Sequence, residues 1–502
     1  MMKNMIVHAG QVITGVNADN EAEVIEDGAI EVTDGDITRI GTLAELSRER
    51  GNLPVIGGAG FVAFPGFVNA HHHVGLTPLQ LGSPDLPLEL WISQRIGGKT
   101  APLYLDTLYS AFEMIRSGVT TVQHLQGRIV APISNVHEKS HEVLSAYRDI
   151  GMRASYSFGV REQNRIVYED DEKFISRLPS DLGGRVRSFL VTQTVAIEDH
   201  LQLFETLRAD LNGDPLLAVQ LAPVNLQWCS DASLIKIRDM SARFGTPIHM
   251  HLLETPFQEA YARQRAGGKT AVEHVHRLGL LNERITLGHG VWMTDGDLDL
   301  IQQAGAHICH NCSSNMRLRS GRAPMNAMRH RGINVAIGMD EAGLNDDRDM
   351  LQEMRVVLHS NRVPGLDSAD VPSPTDVFRM ATEFGANTTP FKPKIGRLAK
   401  GRAADIVLLD WSQVSYPFLD AGIKAIDALV HRAKSSGVHT VMVNGQVVLQ
   451  DGQFTLVDEQ SILDEIVEIL NQPMTEAESS LRQMAGELIP HITDFFQDYR
   501  DR

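Results

Sequence analysis

The chain has 502 residues, of which 43% are hydrophobic and 22% are charged, and its formal net charge at pH 7 is −17. This composition is typical of a globular protein, and the length allows one large catalytic domain together with a smaller one. The negative charge argues against nucleic acid and anionic membranes as partners, because phosphate groups are bound through basic surfaces. A small-molecule substrate is compatible with it.

The sequence contains three cysteines, Cys229, Cys309 and Cys312. An odd and sparse set argues against a disulfide framework and indicates a reducing compartment. No apolar run reaches the length of a membrane span, and the N-terminus lacks the apolar core and cleavage site of a signal peptide. We therefore expect a cytoplasmic protein.

Both ends of the chain have the pattern of short β-strands separated by turns. Strands are expected at residues 5–9, 11–14, 29–32 and 36–40, with breaks at Gly10, Gly28, Gly35 and Gly41. Near the other end they are expected at residues 404–409, 439–443 and 446–449, where Asn444-Gly445 is a hairpin signal. We expect residues 1–64 and 391–460 to form one small β-sandwich domain.

Between these ends, residues 65–390 alternate short apolar strands with longer amphipathic stretches. Helices are expected, for example, at 232–244 and 295–303, and residues 461–502 predict one or two C-terminal helices. Repeated strand–helix units predict an α/β fold of the (β/α)8 TIM-barrel type, whose functional residues follow the strands. The candidate strands lie at residues 120–122, 153–156, 217–221, 247–251, 285–287, 307–309 and 335–337.

Three consecutive histidines follow the apolar run at residues 64–70. Side chains alternate between the two faces of a strand, so His71 and His73 point one way and His72 the other. Two imidazoles on one face can share a divalent metal, although a short motif of this kind also occurs in polar loops.

A second strand ends in His249, His251 and Glu254. The two histidines share a face, so either is a candidate third ligand, and Glu254 follows at a distance that suits a proton shuttle. The alternative is a core histidine followed by a loop glutamate.

Two later strands end in polar residues as well. His289 lies between two glycines, which leave room for a ligand, and Asp340 is a candidate for binding metal and accepting a proton from water. Glu341 is expected to point elsewhere, and the acidic segment 346–349 is expected to be a solvated face or helix cap. The Cys309 and Cys312 pair is interpreted as structural, because the sequence contains no second CxxC.

Taken together, these motifs resemble the amidohydrolase superfamily, in the branch of cytosine-deaminase-like, triazine chlorohydrolase and S-adenosylhomocysteine deaminase enzymes. The resemblance extends over nearly the whole chain and rests on motifs in the order of the barrel strands. They are residues 65–73 (PGFVNAHHH), 118–122 (GVTTV), 248–255 (IHMHLLET), His289, 310–315 (HNCSSN), Asp340 and 396–405 (GRLAKGRAAD).

The resemblance implies one divalent metal ion, zinc or iron with zinc favoured, held by His71, His73, His251 and Asp340. It also implies that Asp340 with His289 accepts a proton from water while Glu254 delivers one to the substrate. Residues 219–223 (VQLAP) contain no bridging lysine, which favours a mononuclear site. Relatives are often oligomeric, so a homo-oligomer is expected.

Two departures from the nucleoside-deaminating relatives concern the substrate. Asn225 stands where those relatives usually have a histidine, and Leu344 stands where a serine is usual. Both changes remove polar contacts and predict a substrate other than a plain purine or nucleoside. The candidate substrate-binding residues are Trp91, His124, His310 and Asn315.

We predict a metal-dependent hydrolase that uses activated water to cleave a C–N bond, by deamination or a related displacement on a nitrogen heterocycle. The alternative is hydrolysis of an amide, urea or carbamate, as in relatives that resemble phenylurea hydrolases. A non-catalytic barrel scaffold is disfavoured because the full set of histidines and carboxylates is present.

Overall fold

The computed structural model describes residues 4–49, 53–73, 75–127 and 130–501. The strands are β1 (Met5–Val16), β2 (Ala22–Thr33), β3 (Asp36–Thr42), β4 (Val55–Pro65), β5 (Phe67–His72), β6 (Val119–Gln126), β7 (Arg153–Val160), β8 (Leu217–Val219), β9 (Ala222–Pro223), β10 (Ile248–Leu252), β11 (Ile285–His289), β12 (His307–His310), β13 (Asn334–Ile337), β14 (Ile406–Asp410), β15 (Val438–Val443), β16 (Gln446–Gln450) and β17 (Gln453–Phe454). The predicted α/β class is confirmed.

Helices follow most of the central strands. They are α1 (Leu43–Glu49), α2 (Leu88–Arg95), α3 (Leu103–Arg116), α4 (Ile133–Ile150), α5 (Asp171–Ile175), α6 (Ser180–Val191), α7 (Ile197–Asp210), α8 (Asp231–Phe244), α9 (Pro256–Arg265), α10 (Ala271–Arg277), α11 (Asp295–Ala304), α12 (Cys312–Arg317), α13 (Met325–His330), α14 (Met350–Ser360), α15 (Pro374–Ala381), α16 (Glu383–Asn387), α17 (Trp411–Ser415), α18 (Ala425–Arg432), α19 (Glu459–Asn471) and α20 (Glu476–Gln497). The helices predicted at 232–244, 295–303 and 461–502 correspond to α8, α11 and the pair α19 and α20.

Strands from both chain ends form one mixed sheet in the order β17-β16-β15-β14-β4-β1-β2-β3. The two ends meet where β14 pairs antiparallel with β4. The hairpin turn between β15 and β16 has positive φ at both Asn444 and Gly445, as expected from an Asn-Gly pair. The predicted pairing of the chain ends is therefore confirmed for a single sheet, while the second layer of a sandwich stays a prediction.

The breaks predicted at Gly10 and Gly28 are wrong, because β1 and β2 run straight through them. A side chain at Gly10 would place its Cβ 2.3 Å from the carbonyl oxygen of Ala59, and one at Gly28 would lie 2.5 Å from Val12. These glycines allow close approach of a neighbouring strand or side chain instead of ending a strand.

The central strands are parallel and carry the predicted site. One sheet runs β5-β6-β7-β8, with β9 paired to β7, and the other runs β10-β11-β12-β13. Among the described residues, three parallel bridges link the sheets: His72 to Asp340, Leu221 to Ile248 and Asn225 to His251. Since all of these strands are parallel, their carboxyl ends lie at one edge.

The C-terminal helix α20 packs against α2, which lies in the loop after β5. Arg482 donates a hydrogen bond to the carbonyl oxygen of Gly97, and Met484 and Leu488 of α20 belong to the apolar cluster against which Leu90 of α2 packs. The end of the chain therefore holds in place the segment that carries Trp91.

Two further predictions from the sequence concern cysteines and membranes. The three cysteines are buried and free. Burial raises the pKa of Cys229 and Cys312 to about 12, which disfavours a reactive thiolate and agrees with a structural role. No helix in the described ranges is long and apolar enough to cross a membrane.

Candidate active site

The four residues predicted as metal ligands lie together at the carboxyl ends of β5, β10 and β13. The Nε2 atoms of His73 and His251 are 3.3 Å apart. Oδ1 of Asp340 lies 3.4 Å from Nε2 of His71 and 3.4 Å from Nε2 of His73. Three nitrogen atoms and one carboxylate oxygen therefore converge, and the groups His71–His73–Asp340 and His71–His251–His289 are each compact enough to hold a metal ion.

Backbone carbonyls fix the orientation of two of these imidazoles. Nδ1 of His73 lies 2.6 Å from the carbonyl oxygen of Leu125, and Nδ1 of His251 lies 2.7 Å from that of Val224. A carbonyl oxygen only accepts, so each Nδ1 is the donor and each lone pair is on Nε2. Two lone pairs that face each other at 3.3 Å repel, and a cation between them removes that repulsion.

His71 is held by another histidine. Its Nδ1 lies 2.7 Å from Nε2 of His249, and its buried Nε2 has no hydrogen-bond partner among the described residues. Burial lowers the pKa of His71 to about 4, against the opposing effect of Asp340. The ring is therefore neutral at pH 7 and its Nε2 is free to bind a metal, whereas His249 contacts His71 from behind.

Asp340 is oriented by Ser314, whose role was not predicted from the sequence. The hydroxyl of Ser314 donates to Oδ2 of Asp340 at 2.6 Å, which leaves Oδ1 facing the imidazoles. The neighbouring imidazoles of His71, His289 and His73 outweigh the effect of burial and hold the pKa of Asp340 well below its usual value. The carboxylate is therefore ionised.

His289 and Glu254 lie on the other side of Asp340. Nε2 of His289 is 3.7 Å from Oε2 of Glu254 and 3.7 Å from Oδ2 of Asp340. Its Nδ1 is 2.9 Å from Oδ1 of Asn315, and Asn311 donates to its Nε2 at 3.2 Å. Both partners assign the proton to Nδ1, so Nε2 is an acceptor that points toward the two carboxyl groups.

The environment of Glu254 favours the protonated form of its carboxyl group. Burial, together with the charges of Asp340 and Glu89, raises the pKa of Glu254 well above its usual value. Ser320 lies within 3.4 Å of its Oε1. A neutral carboxylic acid next to an ionised Asp340 is a division of roles suited to acid–base catalysis.

Three residues at these strand ends have left-handed backbones although none is glycine. The φ angles are +55° at Leu253, +71° at His289 and +54° at Asp340. Such conformations cost roughly 1–3 kcal/mol each and cluster at functional sites, where surrounding structure enforces them. The strain lies directly beside Glu254 and on two of the residues that the sequence predicts to be catalytic.

The predicted substrate-binding residues do not all lie together. Asn315 contacts His289, and His310 is buried with both ring nitrogens unpaired among the described residues. Trp91 packs with Leu318, which directly follows α12. His124 instead contacts Tyr147 and Gln126, so its ring is engaged next to helix α4.

Two contacts tie α2 to the strands of the site. Thr255 donates to the buried carboxylate of Glu89 at 2.5 Å, directly after Glu254. Arg95 pairs with Glu341, directly after Asp340, and its guanidinium lies 4.6 Å above the Trp91 ring. Neither contact was predicted, because a pairing across more than 160 residues leaves no trace in spacing.

The acidic segment after Asp340 has structural contacts. Asp349 caps α14 by accepting from the backbone N–H of Gln352 at 3.1 Å, which confirms the predicted helix cap. Asp346 accepts from Thr77 at 2.6 Å and pairs with Arg317. It therefore joins the loop after β5 to α12.

The sequence profile of the amidohydrolase family matches residues 62–448. The chain belongs to the amidohydrolase family. It is therefore a hydrolase that acts on carbon–nitrogen bonds, which confirms the predicted family and the predicted C–N bond hydrolysis.

Curated relatives of this amidohydrolase match it over almost its full length. The 5-methylthioadenosine/S-adenosylhomocysteine deaminase of Pelotomaculum thermopropionicum is 30% identical over 92% of the chain and 97% of its own length. The 5'-deoxyadenosine deaminase of Methanosarcina mazei is 27% identical over the same shares of the two chains.

Solved structures share the fold at lower identity. An adenosine deaminase from Xanthomonas campestris with bound zinc has a TM-score of 0.76 at 24% identity, covering 93% of this chain and 97% of that one. An atrazine chlorohydrolase from Arthrobacter aurescens in complex with zinc has a TM-score of 0.77 at 19% identity, covering 93% and 100%.

Proposed function

We propose that this amidohydrolase is a zinc-dependent deaminase that replaces the exocyclic amino group of a small nitrogen heterocycle with oxygen. The observation that carries the proposal is the convergence of Nε2 of His73 and of His251 with Oδ1 of Asp340, beside the buried carboxyl group of Glu254. Without a cation this arrangement is repulsive.

We assign His71, His73, His251 and Asp340 as the residues that hold the metal. Neutral imidazoles with one carboxylate are the ligand set that zinc prefers, and carbonyl contacts behind His73 and His251 are the outer partners that fix ligand rings. When bound, the ion would lower the pKa of water to about 7 and so make a nucleophile available at neutral pH.

The remaining residues handle protons. Glu254 gives its proton to a ring nitrogen of the substrate, which makes the adjacent carbon electrophilic. Asp340 and Nε2 of His289 accept the proton that water loses as its oxygen bonds to that carbon. The proton held by Asp340 and His289 passes to the leaving amino group, and the C–N bond breaks to release ammonia. The remaining hydroxyl proton returns to Glu254 as the substrate becomes the corresponding carbonyl compound. His289 lies 3.7 Å from both carboxyl groups, so a small side-chain movement would bring its Nε2 within hydrogen-bond distance of either.

We infer that the two parallel sheets form one closed (β/α)8 barrel. The bridges from His72 to Asp340 and from Leu221 to Ile248 support this at both junctions. The location of every proposed catalytic group at a strand's carboxyl end is the arrangement typical of barrel enzymes.

Two kinds of observation narrow the substrate class: the names of the relatives, and the two positions at which this chain differs from nucleoside-deaminating enzymes. Full-length relatives are named as deaminases of adenosine derivatives. Asn225 uses its side-chain oxygen to accept from the N–H of Leu226 at 2.7 Å, and Leu344 is half exposed. Leu344 cannot supply the polar contact usual in nucleoside deaminases, and Asn225 offers an amide nitrogen, unpaired among the described residues, in place of an imidazole. We therefore propose an amino-substituted heterocycle that need not carry a ribose.

An ammonia-release assay tests this proposal directly. The purified protein, loaded with zinc, is offered methylthioadenosine, S-adenosylhomocysteine, 5'-deoxyadenosine, aminopterins, cytosine and aminotriazines, with chlorotriazines, phenylureas and carbamates as the second set. We expect ammonia from members of the first set. The Asp340→Asn protein, purified in parallel, excludes ammonia produced by a contaminating host deaminase.

Release of an amine from phenylureas or carbamates, with no ammonia from the first set, would replace deamination with the alternative hydrolysis. Release of chloride from chlorotriazines alone would replace deamination with the related displacement on a heterocycle. A purified chain that contains neither zinc nor iron and binds neither on addition would contradict the metal-dependent mechanism itself.

A further inference from the structure

A second group of metal-binding side chains lies in the helical layer of the molecule. His137 and His141 are on α4, and Asp210 is the last residue of α7. Their ligand atoms all lie within 4.8 Å of one another. Among the described residues it is the one such group that does not include His71.

The two histidines face each other on one side of α4. Residues four apart are neighbours on a helix surface, and the rings of His137 and His141 are 4.5 Å apart at 86° to one another. Their Nε2 atoms are 3.0 Å apart. Two nitrogen ligands of a tetrahedral zinc ion, each about 2.0–2.1 Å from it, lie roughly 3.3 Å apart. Only a small outward movement of the rings is needed to admit an ion.

Asp210 supplies a carboxylate that no basic side chain neutralises. Among the described residues it has no hydrogen bond or ion pair. Asp231, which also contacts a histidine, differs because it forms ion pairs with Arg265 and Arg277. A negative charge at the C-terminal end of a helix is also unfavourable because the helix dipole is negative there. A cation bound at Asp210 would remove that repulsion.

We propose that His137, His141 and Asp210 form a second divalent metal site, selective for zinc-like ions, with water at the remaining position. The ligands come from two helices, so the ion joins α4 to α7. Two nitrogens and one carboxylate are a typical zinc ligand set.

The expected role of this site is stabilisation. The ligands are partly or fully exposed, so water competes for the ion and binding is weaker than in the buried site. An ion that binds the folded chain alone stabilises it in proportion to the logarithm of its concentration, which raises Tm as free zinc increases.

Equilibrium dialysis of the zinc-loaded enzyme against micromolar Zn²⁺, with metal analysis of the protein, tests the proposal. We expect two zinc ions per chain in the wild type and one in His137→Ala/His141→Ala. The double variant should keep its ammonia-releasing activity, and its Tm should rise less steeply with free zinc than that of the wild type, because only the catalytic ion remains. Asp210→Asn should bind the second ion more weakly, and His276→Ala, an exposed histidine on α10, should behave as the wild type.

The proposal is overturned if the wild type saturates at one zinc ion under these conditions. It is equally overturned if the double variant still binds two ions, because the second ion would then lie elsewhere.

Discussion

In the part of the chain that the structure describes, two pairs of histidines bring their Nε2 atoms close together, and the pairs differ in the groups that contact the other side of the rings. At the active site, Nε2 of His73 and Nε2 of His251 are 3.3 Å apart, and at the surface the Nε2 atoms of His137 and His141 are 3.0 Å apart. The spacing is nearly the same. However, the buried rings are each fixed by a carbonyl oxygen at Nδ1, while the surface pair lies on a single exposed helix face.

Nitrogen atoms that lie close together are therefore not sufficient to form a catalytic centre. In the buried cluster, carbonyl oxygens fix the tautomer and orientation of His73 and His251, and burial is the largest of the effects that lower the pKa of His71 to about 4. The surface pair has to arrange its rings when the ion binds. Preorganisation of this kind is what separates a catalytic metal site from a stabilising one.

The largest effect is expected from His251→Ala, which removes one of the inward-facing lone pairs. The protein should lose its catalytic metal and its activity together, because the ligand set is reduced and the repulsion that the ion relieves is gone. Metal analysis of the purified variant, beside an activity assay, checks this. Retention of both metal and activity would show that His251 is not a ligand.

His137→Ala/His141→Ala is the matched control for that experiment. It removes two imidazoles that lie just as close together, yet it should leave the catalytic ion and the activity unchanged. Circular dichroism of both variants would show whether a loss of metal reflects a loss of fold.

Glu254→Gln should have the next largest effect, with the metal retained. Glutamine keeps the size of the side chain but cannot donate the proton, and general acid–base groups typically contribute about 10²–10⁴-fold in rate. We therefore expect kcat to fall by that factor while zinc content stays that of the wild type. A variant that lost zinc instead would place Glu254 among the ligands.

Much of this site could be predicted because its chemistry lies in short segments. His71, His73, His251, Glu254, His289 and Asp340 each stand at or just after a predicted strand, so alternation and strand ends were sufficient to bring them to one edge. The structure places each of them within 4 Å of another member of the set.

The supporting contacts could not be predicted in the same way. Ser314 meets Asp340 and His249 meets His71 only after the strands are in register. The same limit explains the wrong break at Gly10. The sequence alone does not distinguish a glycine at a turn from a glycine that allows another strand to approach closely. At Gly10 the second case holds, because a Cβ there would lie 2.3 Å from the carbonyl oxygen of Ala59.

The smallest effect is expected from His249→Ala. This change removes the side chain that contacts Nδ1 of His71, so the His71 ring would be as weakly held as the rings of His137 and His141 at the surface. Nε2 of His249 lies 2.7 Å from Nδ1 of His71, so it is a positioning residue. Loss of such an outer partner typically costs about 10–100-fold in metal affinity. Most of the protein should still contain metal when zinc is plentiful, but a chelator should remove the metal at lower concentration.

A conservative variant separates positioning from general packing. His249→Gln can accept from Nδ1 of His71 through its side-chain oxygen, so it should recover chelator resistance that alanine loses. If both variants were equally sensitive to the chelator, the cavity and not the hydrogen bond would be the cause. If His249→Ala instead lost the metal as completely as His251→Ala, the assignment of His249 as a supporting residue would be wrong, and His249 would have to be counted as a ligand.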